Sequence, residues 1–214
     1  MSALPGIVHV VDDNADFRKA VSRLLSAAGH ETRLYSSAQE YLMAQDSRSP
    51  ACVLLDLRMP GSTGLDLQAA LSRRENAHPV IFLSGHGDIP STVKAMRAGA
   101  VDFLTKPVPK AILLDAVRRA LEQDLRRAGE LAHLAELRGR YASLTPRERQ
   151  VMAGVVAGLL NKQICYALDA AERTIKTHRA RVMEKMRADS VADLVRLAEE
   201  LEKAGIAQSP PPGA

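Results

Sequence analysis

The chain has 214 residues, 46% of them hydrophobic and 25% charged, an ordinary globular balance for one or two domains. No apolar run approaches the roughly 20 residues of a membrane-spanning helix, and no basic segment precedes the short apolar stretch after Met1, so a cytoplasmic protein without a membrane partner is expected. Cys52 and Cys165 stand far apart in unlike surroundings, which excludes a disulfide framework or a cysteine metal site and reads as two reduced thiols.

The net charge of +4 is unevenly spread. Residues 1–124 carry 14 basic and 14 acidic side chains, so the surplus belongs to 125–214, with 15 against 11. Six cations and two acids fall between Glu172 and Arg187. A stretch that dense points to an anionic partner, with a solvated helix face as the plain alternative.

In chain order, Ile7 to Val11 is a short β-branched strand that runs into Asp12-Asp13-Asn14. Ala15 to Ala28 has helical apolar spacing and Gly29 closes it. Glu31 to Tyr35 is a second strand, Ser36 and Ser37 are caps for a short helix through Gln45, and Asp46 to Pro50 is a polar loop. Cys52 to Leu55 runs apolar into Asp56 and stops at Pro60-Gly61, a buried parallel strand with a carboxylate at its C-terminal end. A helix over 64–74, a strand from Pro79 to Ser84, a turn at Gly85-His-Gly-Asp88, a helix from Ile89 to Ala98 and a strand from Val101 to Lys106 follow. His86, though near the strand ends, reads as a loop residue. The alternation predicts an α/β doubly wound five-stranded parallel sheet over residues 1–122.

A helix beginning near Pro109 is expected to continue as a linker over 123–142, where Leu121, Leu125, Ala128, Ala132 and Ala135 form a heptad-like seam, mostly alanine and interrupted by Gly129, that would either pair with a second chain or lie on its own domain. Residues 143–203 then read as an all-α four-helix domain. Thr145, Pro146 and Glu148 mark the first start, Asn161 caps the second helix, Glu172 to Met186 is the basic helix, and Ser190 caps the fourth. The proline-bearing tail over 204–214 is expected to be disordered.

Folding such a sheet gathers Asp12, Asp13, Asp56, Ser84 and Lys106 at one rim, because each ends a strand and ligands bind at the carboxyl ends of parallel strands. Three carboxylates repel unless a divalent cation sits among them. Hard oxygen ligands favour Mg²⁺, while a hydroxyl and an ammonium suit the oxygens of a phosphoryl group. Any one of these residues alone is more often a cap, a loop polar or a surface charge.

In combination they make residues 7 to about 122 resemble the receiver domain of a two-component response regulator. The resemblance implies that Asp56 accepts a phosphoryl group from a sensor histidine kinase. It also implies that Asp13, Asp56 and the backbone carbonyl of Arg58 hold Mg²⁺, with Asp12 on a metal-bound water. Lys106 would bind the phosphoryl group ahead of a cis peptide to Pro107, Ser84 would move to it, and Phe103 would be the switch aromatic. Ser84 stands for the commoner Thr and Val108 where many members have Phe. Phosphatases of the haloacid dehalogenase family are a weaker match, since their nucleophile follows the first strand with an Asp two residues on, where this chain has Arg58.

In the second half, Asn161-Lys162-Gln163-Ile164, the turn at Asp169 to Ala171 and Arg173 to Arg179 resemble the LuxR-type helix-turn-helix. Together the halves resemble the FixJ/NarL group of response regulators, within it the FixJ type by Gly85-His-Gly-Asp88 and Leu168-Asp169. Ile175, Val182 and Met186, with Met183, share one helical face, leaving Lys176, Thr177, Ala180 and Arg181 outward for a DNA major groove. Lys162, Arg173, Arg179 and Lys185 are assigned to phosphates. Ala171 occupies the usual cap position of the basic helix. The expected function is a phosphorylation-switched transcription regulator rather than an enzyme, a phosphorylation-dependent homodimer reading half-sites about one DNA turn, 34 Å, apart. The alternative is a phosphate sink whose C-terminal domain binds a protein partner.

Overall fold

The computed structural model describes residues 6–44, 50–61, 63–74, 77–85 and 89–207. It divides into two compact units, residues 1–129 and 130–214. The expectations for His86 and its turn, for Gln45 and the loop after it, and for 208–214 lie outside the described residues.

In the first unit β1 (Ile7–Val11), β2 (Glu31–Tyr35), β3 (Ala51–Asp56), β4 (Val80–Ser84) and β5 (Asp102–Thr105) form a parallel sheet in the order β2-β1-β3-β4-β5. The central strands read as continuous apolar runs because both faces are covered, and successive side chains alternate between the two. Val8, Val10, Cys52, Leu54, Ile81 and Leu83 pack in one core cluster. That cluster includes Val21 and Leu25 of α1 (Ala15–Ala27) and Leu113 and Val117 of α5 (Lys110–Ala142). Val11, Val53, Leu55, Val80 and Phe82 pack in the other, with residues of α2 (Ala38–Ala44), α3 (Gly64–Leu71) and α4 (Ile89–Arg97).

Local chemistry sets the element ends. Asn14 caps α1, its side chain accepting from the amides of Asp16 and Phe17, and Gly29 follows in the left-handed region that glycine enters without strain. Ser37 accepts from the Glu40 amide while the Glu40 carboxylate takes the amide and hydroxyl of Ser36. Thr63 and Asp66 form a reciprocal box that starts α3. β5 is shorter at both ends than expected.

Helix α5 is continuous over its 33 residues. Asp124 is buried and accepts from the Ala51 amide at 2.9 Å, with His78 Nδ1 3.3 Å from its other oxygen. Arg127 donates to the Ala77 carbonyl, so α5 stays tied to the receiver-like unit beyond residue 122. Leu121 is fully buried in that core, so at this position the helix lies on its own domain rather than offering a seam to a second chain; Leu125 is 47% exposed.

In the second unit α6 (Pro146–Val156), α7 (Asn161–Leu168), α8 (Glu172–Met186) and α9 (Val191–Lys203) close around Val151, Ile164, Ile175, Val182, Met186 and Leu194. Leu137 of α5 belongs to this core. Ile206 and Ala207 pack against it too, so residues 204–207 are folded where a disordered tail was expected. Both cysteines are free thiols, Cys52 buried and Cys165 partly so. Among the described residues no helix is long and apolar enough to cross a membrane.

Candidate functional site

The sheet order reverses between β1 and β3, and that reversal opens a crevice at the carboxyl ends of the strands. The last paired residues, Val11 with Leu55, put Asp12 beside Asp56 one step further on. Ser84 pairs with Thr105, and the amide of Lys106 donates to the Ser84 carbonyl at 2.8 Å. Sheet register alone thus aligns the strand-end residues along one rim.

Asp12 and Asp56 are buried and Asp13 is exposed, and one oxygen from each lies within 4.8 Å of the others. The Lys106 ammonium donates to Asp12 Oδ2 at 2.5 Å and to Asp56 Oδ1 at 3.1 Å. It also stands 4.0 Å from the centroid of the Phe17 ring. The other Asp12 oxygen accepts the Asn14 amide, which ties the carboxylate to the start of α1. Burial pushes the Asp56 carboxyl up from its ordinary value; Lys106 opposes that, while Asp12 and Asp13 add to it by repulsion. Three acids and one ammonium leave the rim net negative.

Ser84 is buried. Phe103 is half-buried on β5, its ring 5.9 Å from that of Phe82 in a stacked arrangement. The peptide between Lys106 and Pro107 is cis, as the resemblance implied. Arg58 is exposed in the loop after β3. That loop is held by a feature absent from the expectations. The Gly64 amide donates to the Leu57 carbonyl, and a Cβ at Gly64 would meet the Asp56 carbonyl oxygen at 2.4 Å. Thr63-x-x-Asp66 was a legible helix-start signal; the close approach at Gly64 has no sequence signal of its own.

In the second unit, the turn before α8 places Asp169 in the left-handed region and leaves Ala171 at the cap without a side-chain bond. Glu172, Arg173, Lys176, Thr177, Ala180 and Arg181 line one open surface on α8. Lys176 pairs with Glu172 at 3.0 Å, and the Thr177 hydroxyl donates back to the Arg173 carbonyl. Lys162 is exposed at the start of α7.

Two expectations here are corrected. Lys185, assigned to phosphate, turns inward: it donates to Glu148 at 2.6 Å and to the Ser143 carbonyl at 3.0 Å, pinning α8 to the start of α6. Glu148 is buried and also caps the Thr145 amide, and these bonds, Lys185 first, hold its carboxyl down at about 2. Asn161 does not cap α7; Leu160 stands at that position, and the Asn161 side chain accepts from Arg179 instead. Leu160 has no polar side chain, so only the Gln163 half of a capping pair is present, on the Leu160 amide.

Residues 8–118 match the response regulator receiver domain, and residues 142–198 match the bacterial regulatory proteins of the luxR family. The chain belongs to the response regulators that carry a LuxR-type DNA-binding domain. It is 45% identical over 195 residues to nodulation protein W of Bradyrhizobium diazoefficiens, covering 91% of this chain and 86% of that one. Against transcriptional regulatory protein FixJ of the same species it is 42% identical over 193 residues, 90% of this chain and 94% of the other. The solved response regulator StyR superposes with a TM-score of 0.84 at 39% identity, over 91% of this chain and 98% of that structure.

This response regulator is therefore a phosphorylation-switched DNA-binding regulator, of a family that regulates transcription and is not generally enzymatic. Its receiver carries the acidic rim, and its LuxR-type domain presents the basic face of α8. The DNA-binding domain disfavours the alternative of a receiver that only drains phosphate.

Proposed function

We propose that Asp56 is the phosphoacceptor of this response regulator and that a sensor histidine kinase is its donor. A carboxylate oxygen of Asp56 attacks the phosphorus of a phosphohistidine; the P–N bond breaks as the O–P bond forms, leaving an acyl phosphate. The observation that carries this reading is the Lys106 ammonium bridging Asp12 and Asp56, a cation already seated where phosphoryl charge would develop. The Ser84 hydroxyl then moves to the phosphoryl oxygens, and Phe103 turns inward behind it.

Mg²⁺, which receiver domains typically bind, suits Asp12, Asp13 and Asp56: all are hard oxygen donors, close enough to share one ion, and the burdened Asp56 carboxylate gains from a cation beside it. When bound, the ion would offset charge on the phosphoryl oxygens, with the Arg58 carbonyl as a further ligand. The domain reading that goes with this function is a receiver over 1–122, a helical linker over 123–142 and a DNA-binding domain over 143–203. Outward on α8, Lys176, Thr177, Ala180 and Arg181 read bases, with Lys162, Arg173 and Arg179 on phosphates. Phosphorylation shifts the protein toward a homodimer whose two recognition helices meet paired half-sites.

The test is mass and oligomeric state with Mg²⁺ and a small phosphodonor. Wild type gains one phosphoryl group and dimerises, and Asp56→Asn does neither. Equal labelling of the two proteins would move the acceptor elsewhere.

A further inference from the structure

Of the cations assigned to the DNA-binding face, Lys176 pairs with a carboxylate, that of Glu172, whereas Arg179 is held by a neutral side chain. The Arg179 guanidinium donates instead to the Asn161 carboxamide oxygen at 2.9 Å, a bond between side chains 18 residues apart on α8 and α7. Among the described residues no carboxylate pairs with it. An amide fixes the orientation of a guanidinium without cancelling its charge, so the remaining donors keep their attraction for an anion.

The surroundings favour the same ligand. Asn161, Lys162 and Arg179 line one surface groove with Leu159, Leu160 and Val191, and no acidic side chain is part of its lining. The first turn of α7 holds no acid, and its cap position has no side-chain bond, so its N-terminal amides add a positive end to the groove. Asn161 is also the residue type that would ordinarily cap this helix, and it is committed to Arg179 instead.

We infer that Asn161 is a positioning residue for DNA binding, holding Arg179 beside Lys162 so that the two cations and the start of α7 grip one backbone phosphate. The inference rests on the reading of Arg179 as a phosphate contact, and it adds that this contact depends on a neutral partner from the preceding helix.

The test uses the full chain, treated with Mg²⁺ and a small phosphodonor, titrated into a labelled mixed-sequence DNA duplex over a range of salt. Binding to such DNA reports phosphate contacts, and each one lost makes the salt slope shallower by about 0.9. Arg179→Ala and Asn161→Ala each weaken binding about fivefold, the scale of one hydrogen bond. Both lower the slope alike, and the double variant is no worse than either. Asn161→Asp weakens binding under either reading, since its carboxylate repels a phosphate in the groove, so the uncharged Asn161→Ala is the deciding variant: at an unchanged melting temperature, its loss of affinity and salt slope reports the position of Arg179 rather than the stability of the fold. If Arg179→Ala weakens binding while Asn161→Ala matches wild type, the positioning role is overturned. If Arg179→Ala itself leaves affinity and slope unchanged, the phosphate reading of Arg179 fails, and the inference with it.

Discussion

Lys185 and Glu148 lie 2.6 Å apart, joining the C-terminal turn of α8 to the first turn of α6. Because Glu148 also caps the Thr145 amide, one carboxylate sets both where α6 starts and where the DNA-reading helix is mounted. Its carboxyl sits at about 2 in the folded protein, below the ordinary 4.5. A carboxyl depressed on folding contributes stability that is fully present above its unfolded value and lost as pH falls toward the folded one. Wild type should therefore lose stability between pH 4.5 and about 2 that Glu148→Gln does not have to lose. Lys185→Met should cost about 1 kcal/mol at neutral pH, a low value because the ammonium is partly exposed. Thermal unfolding of the three proteins across that pH range checks both; parallel curves would show that the pair carries no acid dependence.

Replacing Asp12 tests the rim differently, since its two oxygens face Lys106 and the Asn14 amide while its burial keeps it beside Asp56. Asp12→Asn should reduce Mg²⁺ affinity about 10–100-fold, the range for groups that orient a metal's ligands or water. Titration with Mg²⁺ alone, followed by calorimetry, measures it without any phosphodonor.

At the start of α8 the cap is an alanine with φ −65° and ψ 147°, a backbone that serine adopts freely. Ala171→Ser should supply the missing acceptor for an amide of the first turn and raise stability by about 1 kcal/mol. Chemical denaturation of the two proteins shows whether the midpoint rises.

Gly64→Ala should be damaging out of proportion to one methyl group. The added Cβ would press on the Asp56 carbonyl oxygen, which is backbone, and on the Phe82 ring. A cost of about 1–3 kcal/mol is expected for such overpacking. The displacement falls on the residue that carries the proposed chemistry, so phosphodonor labelling should slow along with the loss of stability. Labelling at the wild-type rate would mean that β3 and α3 can part without moving Asp56.

The strand ends were legible from the sequence because a parallel strand covered on both faces reads as an unbroken apolar run, and the residue that breaks the run marks the rim. Asp56 and Ser84 follow such runs, Asp12 follows one broken only by His9, Lys106 follows the mixed edge strand Asp102–Thr105, and parallel register then lines them up. The Thr145 to Glu148 box was legible for a local reason, since both partners lie within one turn. Tertiary structure alone decided what the long cations do. Helical period tells which face Lys185 and Arg179 occupy, yet each reaches several ångströms from its Cα, and their partners, Glu148 and Asn161, lie 37 and 18 residues earlier in the chain. The same holds for Asp124, whose partner at Ala51 is 73 residues away, and for Gly64, whose role appears only when β3 and α3 meet. Period and punctuation are written in neighbouring residues, whereas the choice between a solvated charge and a buried staple depends on which distant group the fold brings within hydrogen-bonding reach.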